Sequence, residues 1–104
     1  MTEDKLKIDE TTLSVDLSEA TEAVKEARFK DALNLLSIVL KDHPDNVDVL
    51  YLAAVSARYL KKFDESKKYI EHLLFNAPDM GRAYQELGHL NRDMGDEELS
   101  LIHI

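Results

Sequence analysis

Apolar residues recur in this chain at spacings of three and four, which places their side chains on one face of an α-helix. Residues 47–80 hold two such stripes separated by a polar stretch: Leu50, Ala53, Ala54 and Ala57, then Phe63, Ile70, Leu73 and Leu74. The pattern predicts two amphipathic helices joined by a tight turn at Lys61 and Lys62. Asn46 suits the N-cap of the first helix, since its side chain can accept a hydrogen bond from a free backbone N–H.

The same arrangement repeats at a fixed distance of 34 residues. Phe29 recurs as Phe63, and Pro44 recurs as Pro78. Each proline is predicted to end the second helix of its unit, because the residue before a proline is pushed out of the helical region. A period of this length with helical patterning is typical of a stacked-helix repeat protein. The register divides the chain into units at residues 13–46 and 47–80, with a third that begins at residue 81.

The repeating positions follow a recognisable order of residue types. In the second unit they hold Leu50, Ala53, Ala54, Ala57, Phe63, Ser66, Ile70, Leu73 and Pro78, and the third unit continues with Tyr84, Leu87, Gly88 and Met94. This order resembles the tetratricopeptide repeat family, although the first unit departs from it at Asp16 and Glu19. The resemblance implies an all-α fold, a right-handed stack of antiparallel helix pairs with two full repeats and the first helix of a third.

Both ends of the chain depart from the repeats. Residues 1–12 are polar and mixed in charge, and we predict a flexible N-terminal tail there. The last six residues, LSLIHI, match the translation of a transposase end sequence that is used as a sequencing adapter. We therefore predict that residues 99–104 are a read-through tail that is not native to the protein.

The third unit is predicted to be truncated. Its first helix is expected within residues 81–98, with a turn at Gly95 and Asp96 and no complete second helix to cover it. Repeat arrays need a cap over their last apolar face. We expect a marginally stable or self-associating chain, with an uncovered patch at this end formed by Leu87, Leu90 and Met94.

Composition excludes several function classes. The 104 residues carry a net charge of −8, which argues against nonspecific binding to nucleic acid or to an anionic membrane. The chain has no apolar run long enough to span a membrane and no secretory signal, so a cytoplasmic location is predicted. It has no cysteine, and its four histidines lack metal-ligand spacing. We therefore expect no metal, no cofactor and no catalytic residue in this chain.

The resemblance also implies a place for function, because the first helices of tetratricopeptide repeats line a concave face. By position this groove would carry Thr21 and Arg82, and its predicted contact residues are Tyr51, Val55, Arg58, Tyr59, Gln85, His89 and Arg92. Arginine pairs with carboxylates in two-point contacts and stacks on aromatic rings. A protein, a peptide or an adjoining domain of the same chain is the predicted partner. As groove residues, Arg58 and Arg92 are expected to tolerate change to glutamate without loss of helicity.

Two alternatives remain open. Tyr51 and Tyr59 could pack between helices as structural residues, with the arginines simply solvated. The stretch from Val49 to Asp96 also resembles the N-terminal repeats of bacterial repeat-containing sulfotransferases. That resemblance implies a substrate-positioning or regulatory region of a larger enzyme, with its catalytic domain outside this chain.

Overall fold

The computed structural model describes the backbone of residues 17–102 and the side chains of residues 17–95. Five helices follow one another in this part of the chain: α1 (residues 17–25), α2 (Phe29–Asp42), α3 (Val47–Tyr59), α4 (Phe63–Asn76) and α5 (Gly81–Ile102). Their connections are short, so neighbouring helices pack as antiparallel pairs. The predicted all-α stack is confirmed, and the predicted tail at residues 1–12 lies outside the described residues. None of the helices in residues 17–102 combines the length and the apolar character that crossing a membrane requires.

Most helix boundaries lie where the sequence predicts them. The Asn46 side chain accepts a hydrogen bond from the backbone N–H of Val49 at 3.1 Å, which confirms the predicted N-cap of α3. Helix α2 ends with His43 as its C-cap, and α4 ends with Ala77. Each of these C-caps directly precedes a proline, and the residue before a proline disfavours helical geometry.

The turns inside the first two helix pairs share one backbone feature, a residue with a positive φ angle. Ala27 has a φ angle of 60° and Lys61 has one of 62°, which places both residues in the left-handed region. These two residues occupy the same register position, 34 residues apart. In each case a phenylalanine opens the next helix two residues later, at Phe29 and Phe63. The packing of that aromatic ring offsets the cost of a left-handed residue, about 1 kcal/mol or more.

The predicted turn at Gly95 and Asp96 is wrong, because α5 continues through both residues to Ile102. Gly95 stands in register with Ala27 and Lys61, yet it does not adopt a positive φ angle. The physical reason lies two residues further along, where Glu97 takes the place of the phenylalanine. Glutamate offers no aromatic surface to bury, so a turn at this point gains no packing, whereas helix continuation keeps its backbone hydrogen bonds.

The core is built around small residues that let the helices approach closely. Alanines at six positions on α1, α2 and α3 are completely buried: Ala20, Ala23, Ala32, Ala53, Ala54 and Ala57. Two further clusters join α3 and α4 to α5, one around Leu50, Leu73 and Ala83 and the other around Ala54, Ile70 and Leu90. The prediction that Leu87, Leu90 and Met94 form an uncovered apolar patch is wrong. Leu90 is fully buried, and Leu87 and Met94 pack against its cluster, because α3 and α4 cover this face of α5.

Candidate binding surface on the first helices of each pair

The first helices of the pairs, α1, α3 and α5, share one open surface, which we call the groove. A pocket of about 220 Å³ in this surface is lined by all three helices: Leu17, Thr21, Asp48, Tyr51, Leu52 and Arg82. Its lining combines the apolar side chains of Leu17 and Leu52 with the charged side chains of Asp48 and Arg82. Thr21 adds little polarity, because its hydroxyl donates to the Leu17 carbonyl oxygen of its own helix at 2.7 Å.

Among the residues that line this pocket, an arginine lies over the ring of a tyrosine. The Arg82 guanidinium carbon lies 4.8 Å from the centre of the Tyr51 ring. Arg82 Nη2 also lies 3.5 Å from Asp48 Oδ1, in a pair that is exposed on both sides. Solvent screens such a pair, so its strength is small and a ligand carboxylate can compete for the guanidinium. Tyr51 is therefore half-buried, packs against the Leu50 cluster and also lines the pocket.

Arg58 is buried, whereas its predicted role as a groove contact residue requires that a ligand can reach it. It is only 7% exposed and holds two carboxylates of α5. Arg58 Nε lies 2.5 Å from Glu86 Oε2, and Nη1 lies 2.8 Å from Asp93 Oδ2. Nη2 completes a two-point contact with Glu86 at 3.3 Å. The guanidinium is thus occupied within the chain, and the expectation that Arg58 tolerates glutamate without loss of helicity does not fit this burial.

The electrostatics of this cluster favour the charged states of Arg58 and Asp93. Burial disfavours the Arg58 charge, but hydrogen bonds to Glu86 and Asp93 outweigh that effect and raise the pKa of Arg58 above its ordinary value. The hydrogen bond from Arg58 holds the pKa of the Asp93 carboxyl below its usual range. Glu86 is 2% exposed, so solvent cannot take the place of the arginine beside it. The cluster therefore links α3 to α5 through a fully formed, mostly buried ion pair.

The lowered pKa of Asp93 makes stability depend on pH. Because the folded carboxyl binds its proton less readily than the unfolded one, its contribution is complete at neutral pH and is lost as pH falls through the folded pKa. We expect the difference in unfolding free energy between the wild type and Asp93→Asn to be largest near pH 7 and to shrink toward about pH 3. Urea unfolding across this range measures it. Asp79→Asn, which removes an exposed carboxylate of the α4–α5 loop, is the control, and an equal pH profile for both variants would contradict the assignment.

Tyr59 presents an aromatic ring beside the Arg58 cluster. Its ring stacks on that of Phe29 with 4.3 Å between centroids and 5° between planes. The Arg58 guanidinium carbon lies 4.5 Å from the same ring centre. Tyr59 nevertheless remains 55% exposed. Phe29 and Arg58 therefore hold the Tyr59 ring in one orientation while it stays accessible to solvent. Tyr59 is thus both a packing residue and an exposed one.

The remaining predicted contact residues lie along α3 and α5. Val55 is half-buried, whereas Gln85 and His89 are exposed. Arg92 is 60% exposed at its side chain and approaches Asp93 at 3.3 Å. Sequence reasoning missed the carboxylates that neutralise Arg58. The available signal was the spacing of Glu86 and Asp93, seven residues apart and hence on one face of α5.

A second pocket lies on the side of helices α2 and α4. This pocket, of about 250 Å³, is lined by Leu40, Pro44, Leu50, Lys68, Tyr69 and His72. His72 Nε2 lies 2.7 Å from Asp45 Oδ1 at its exposed edge. Burial, followed by the nearby Glu65 charge, raises the pKa of Tyr69 above its ordinary value. Among the residues that the structure describes, no group of three or more metal-ligating side chains comes together.

The fold defines a class of protein, the helical-repeat module built from stacked helix pairs. The tetratricopeptide repeat family model matches residues 23–90, and the chain belongs to this family. Tetratricopeptide repeats generally mediate protein–protein interactions and are non-catalytic, in keeping with the prediction that this chain is not itself an enzyme. No curated protein matches the sequence. The resemblance to sulfotransferase repeats stays a prediction.

Proposed function

We propose that the chain binds a peptide segment of a partner protein along the groove. The observation that carries this proposal is the pocket in which Tyr51 and Arg82 lie together between α1, α3 and α5. Its volume of about 220 Å³ suits one apolar side chain, with the guanidinium beside it for a carboxylate. An acidic residue next to an aliphatic or aromatic residue is thus the expected core of the recognised segment.

Tyr59 supplies the second contact in this proposal. Its stacking on Phe29 holds the ring in place before any ligand arrives, which lowers the entropy cost of binding. Val55 lies one helical turn before Tyr59 on α3 and joins it to the pocket at Tyr51. On α5, Gln85 and His89 offer polar contacts to the backbone of an extended segment. Arg58 contributes as the support of Tyr59 rather than as a direct ligand.

A peptide-display selection tests this proposal and requires no identified partner. Random-sequence peptides are selected against the chain, and the enriched sequences are measured by fluorescence anisotropy. We expect them to combine an apolar and an acidic residue, and we expect Tyr51→Ala and Tyr59→Ala each to weaken binding by about 1–2 kcal/mol. Arg82→Gln should weaken it further for peptides that retain the acidic residue.

A matched control separates the groove from the rest of the surface. Tyr84 is also an exposed tyrosine, but it lies on α5 away from the pocket residues. Tyr84→Ala should therefore leave binding of the selected peptides unchanged. Selected peptides that bind equally well to the Tyr51→Ala and Tyr59→Ala variants, with both variants fully helical, would place the binding surface elsewhere.

A further inference from the structure

The pocket in the groove lies where the N-terminal part of the chain enters the described structure. Leu17 is the first described residue of α1, and it lines this pocket together with Leu52 of α3 and Arg82 of α5. Residues 1–16 precede the described part of the chain. The segment before Leu17 is therefore joined to the protein at the pocket itself.

The predicted N-terminal tail, residues 1–12, contains a segment of the kind proposed above as the ligand of the groove. Leu6 and Ile8 are its apolar residues after the initial methionine. Lys7 precedes Ile8 and Asp9 follows it, so an aliphatic residue has one charge of each sign beside it. The proposed ligand is an aliphatic or aromatic residue next to an acidic one, and Ile8 with Asp9 meets that description.

The charges of the pocket complement those of this segment. Asp48 and Arg82 both line the pocket, and they lie 3.5 Å apart as an exposed pair. With Ile8 against the apolar part of the lining, Asp9 can pair with the guanidinium and Lys7 with the carboxylate. Charges arranged in this complementary way fix the position of a bound segment more than they raise its affinity. The apolar residue supplies the remaining contact by its burial.

Chain length allows this segment to return to the pocket. Ile8 lies nine residues before Leu17, and nine residues span up to about 30 Å when extended. The connection includes Ser14, a residue type that is frequent in turns. The second pocket fits the segment less well, because α2, α3 and α4 build it and none of them is joined to the tail. Its lining also carries Lys68 and His72 but no carboxylate that could pair with a lysine.

We propose that residues 6–9 occupy the pocket in the groove of their own chain and compete there with the peptide of a partner protein. This inference rests on the proposed function and adds a means of regulation to it. Because the segment is tethered, its effective concentration at the pocket is on the order of millimolar, so weak contacts are enough to keep it bound for part of the time. A partner peptide binds only the chains in which the pocket is open, which lowers its apparent affinity by that fraction.

Substitutions in the tail test the proposal in the full chain. The double variant Ile8→Ser with Asp9→Lys removes the apolar and the acidic contact together. It should bind the peptides selected against the groove about tenfold more tightly than the wild type does, as measured by fluorescence anisotropy. Asp4→Lys makes the same change in net charge outside residues 6–9, so its affinity for these peptides should stay close to that of the wild type.

A spin label locates the tail without any partner peptide. The chain has no cysteine, so Thr2→Cys provides a single attachment point for a nitroxide. We expect paramagnetic broadening of the Leu52 methyl signals, which report on the pocket in the groove, and little broadening at Leu40, which lines the second pocket. The same label in the double variant of Ile8 and Asp9 should broaden the Leu52 signals much less.

Three results would overturn the proposal. One is an unchanged peptide affinity in the double variant while Tyr51→Ala still weakens the same peptides, which leaves the proposed function intact. Another is equal broadening at Leu52 in the labelled chains with and without the double substitution. The third is broadening that grows with protein concentration, which would mean that the tail binds another copy of the chain.

Failure of the proposed function has a different signature. In that case Tyr51→Ala leaves the binding of every selected peptide unchanged. Broadening at Leu52 that depends on Ile8 and Asp9 would then still show that the tail docks in the pocket, without a partner peptide as its competitor.

Discussion

Replacement of Arg58 by alanine is expected to lower the unfolding free energy by about 3–5 kcal/mol. The reason is that Glu86 loses its partner. Glu86 is 2% exposed and accepts two hydrogen bonds from Arg58. Without Arg58, this carboxylate stays buried and unpaired, or α5 separates from α3 so that water can reach it. Urea unfolding followed by far-UV circular dichroism measures the change.

A second arginine of the same chain provides the control. Arg28 also contacts two carboxylates, Glu26 at 2.8 Å and Asp31 at 3.5 Å, but all three side chains are at least half exposed. Exposed ion pairs contribute about 0–1 kcal/mol, so Arg28→Ala should have a small effect. Equal losses for Arg28→Ala and Arg58→Ala would show that burial of the Arg58 cluster does not matter.

A double substitution separates pairing from packing. Arg58→Met together with Glu86→Leu replaces the buried pair by apolar side chains, and we expect stability close to that of the wild type or above it. Asp93 is partly exposed and can be hydrated in this variant. If the double variant is as unstable as Arg58→Ala, then the guanidinium contributes through its contact with Tyr59 or through shape, and not through its charge.

This buried cluster also marks the limit of what the sequence could predict. The helix pairs, the Asn46 cap and the turn at Lys61 follow from local patterns, because neighbouring residues determine caps and turns. Arg58 depends instead on carboxylates 28 and 35 residues further along the chain. The residues next to Arg58 in the sequence do not show whether such distant carboxylates reach it. An arginine that is available to ligands and one that is paired within the chain therefore have the same local sequence pattern.

At Gly95 the local sequence pattern was misleading, because it predicted a turn that does not form. A glycine in the register of two left-handed residues predicts a turn, and its freedom of φ would make that turn easy. Ease of turning does not produce a turn without a packing gain, and the phenylalanine that supplies this gain at Phe29 and Phe63 has no counterpart at residue 97. In this fold the aromatic residue after the turn is therefore as necessary as the turn residue itself.

Replacement of Phe63 by alanine follows from the same argument and is expected to cost about 3 kcal/mol, the lower end of the range for aromatic truncation because the ring is half-buried. Phe63 packs against the cluster of Ala54, Ile70 and Leu90, which belongs to α3, α4 and α5 together. Its loss removes the contact that offsets the left-handed backbone at Lys61. The substitution should therefore destabilise both the α3–α4 turn and the packing of α5 against α3 and α4.

Phe75 offers a matched control on the same helix, since it is 85% exposed near the end of α4. Phe75→Ala removes the same side chain from solvent rather than from a core, so its effect should stay within about 0.5 kcal/mol. Hydrogen exchange adds a local readout, because Phe63→Ala should speed exchange in α4 and α5 more than in α2, whose core cluster does not include Phe63. Uniform loss of protection in all helices would instead mean that the stack unfolds as one unit, and that the α3–α5 clusters hold no separate share of its stability.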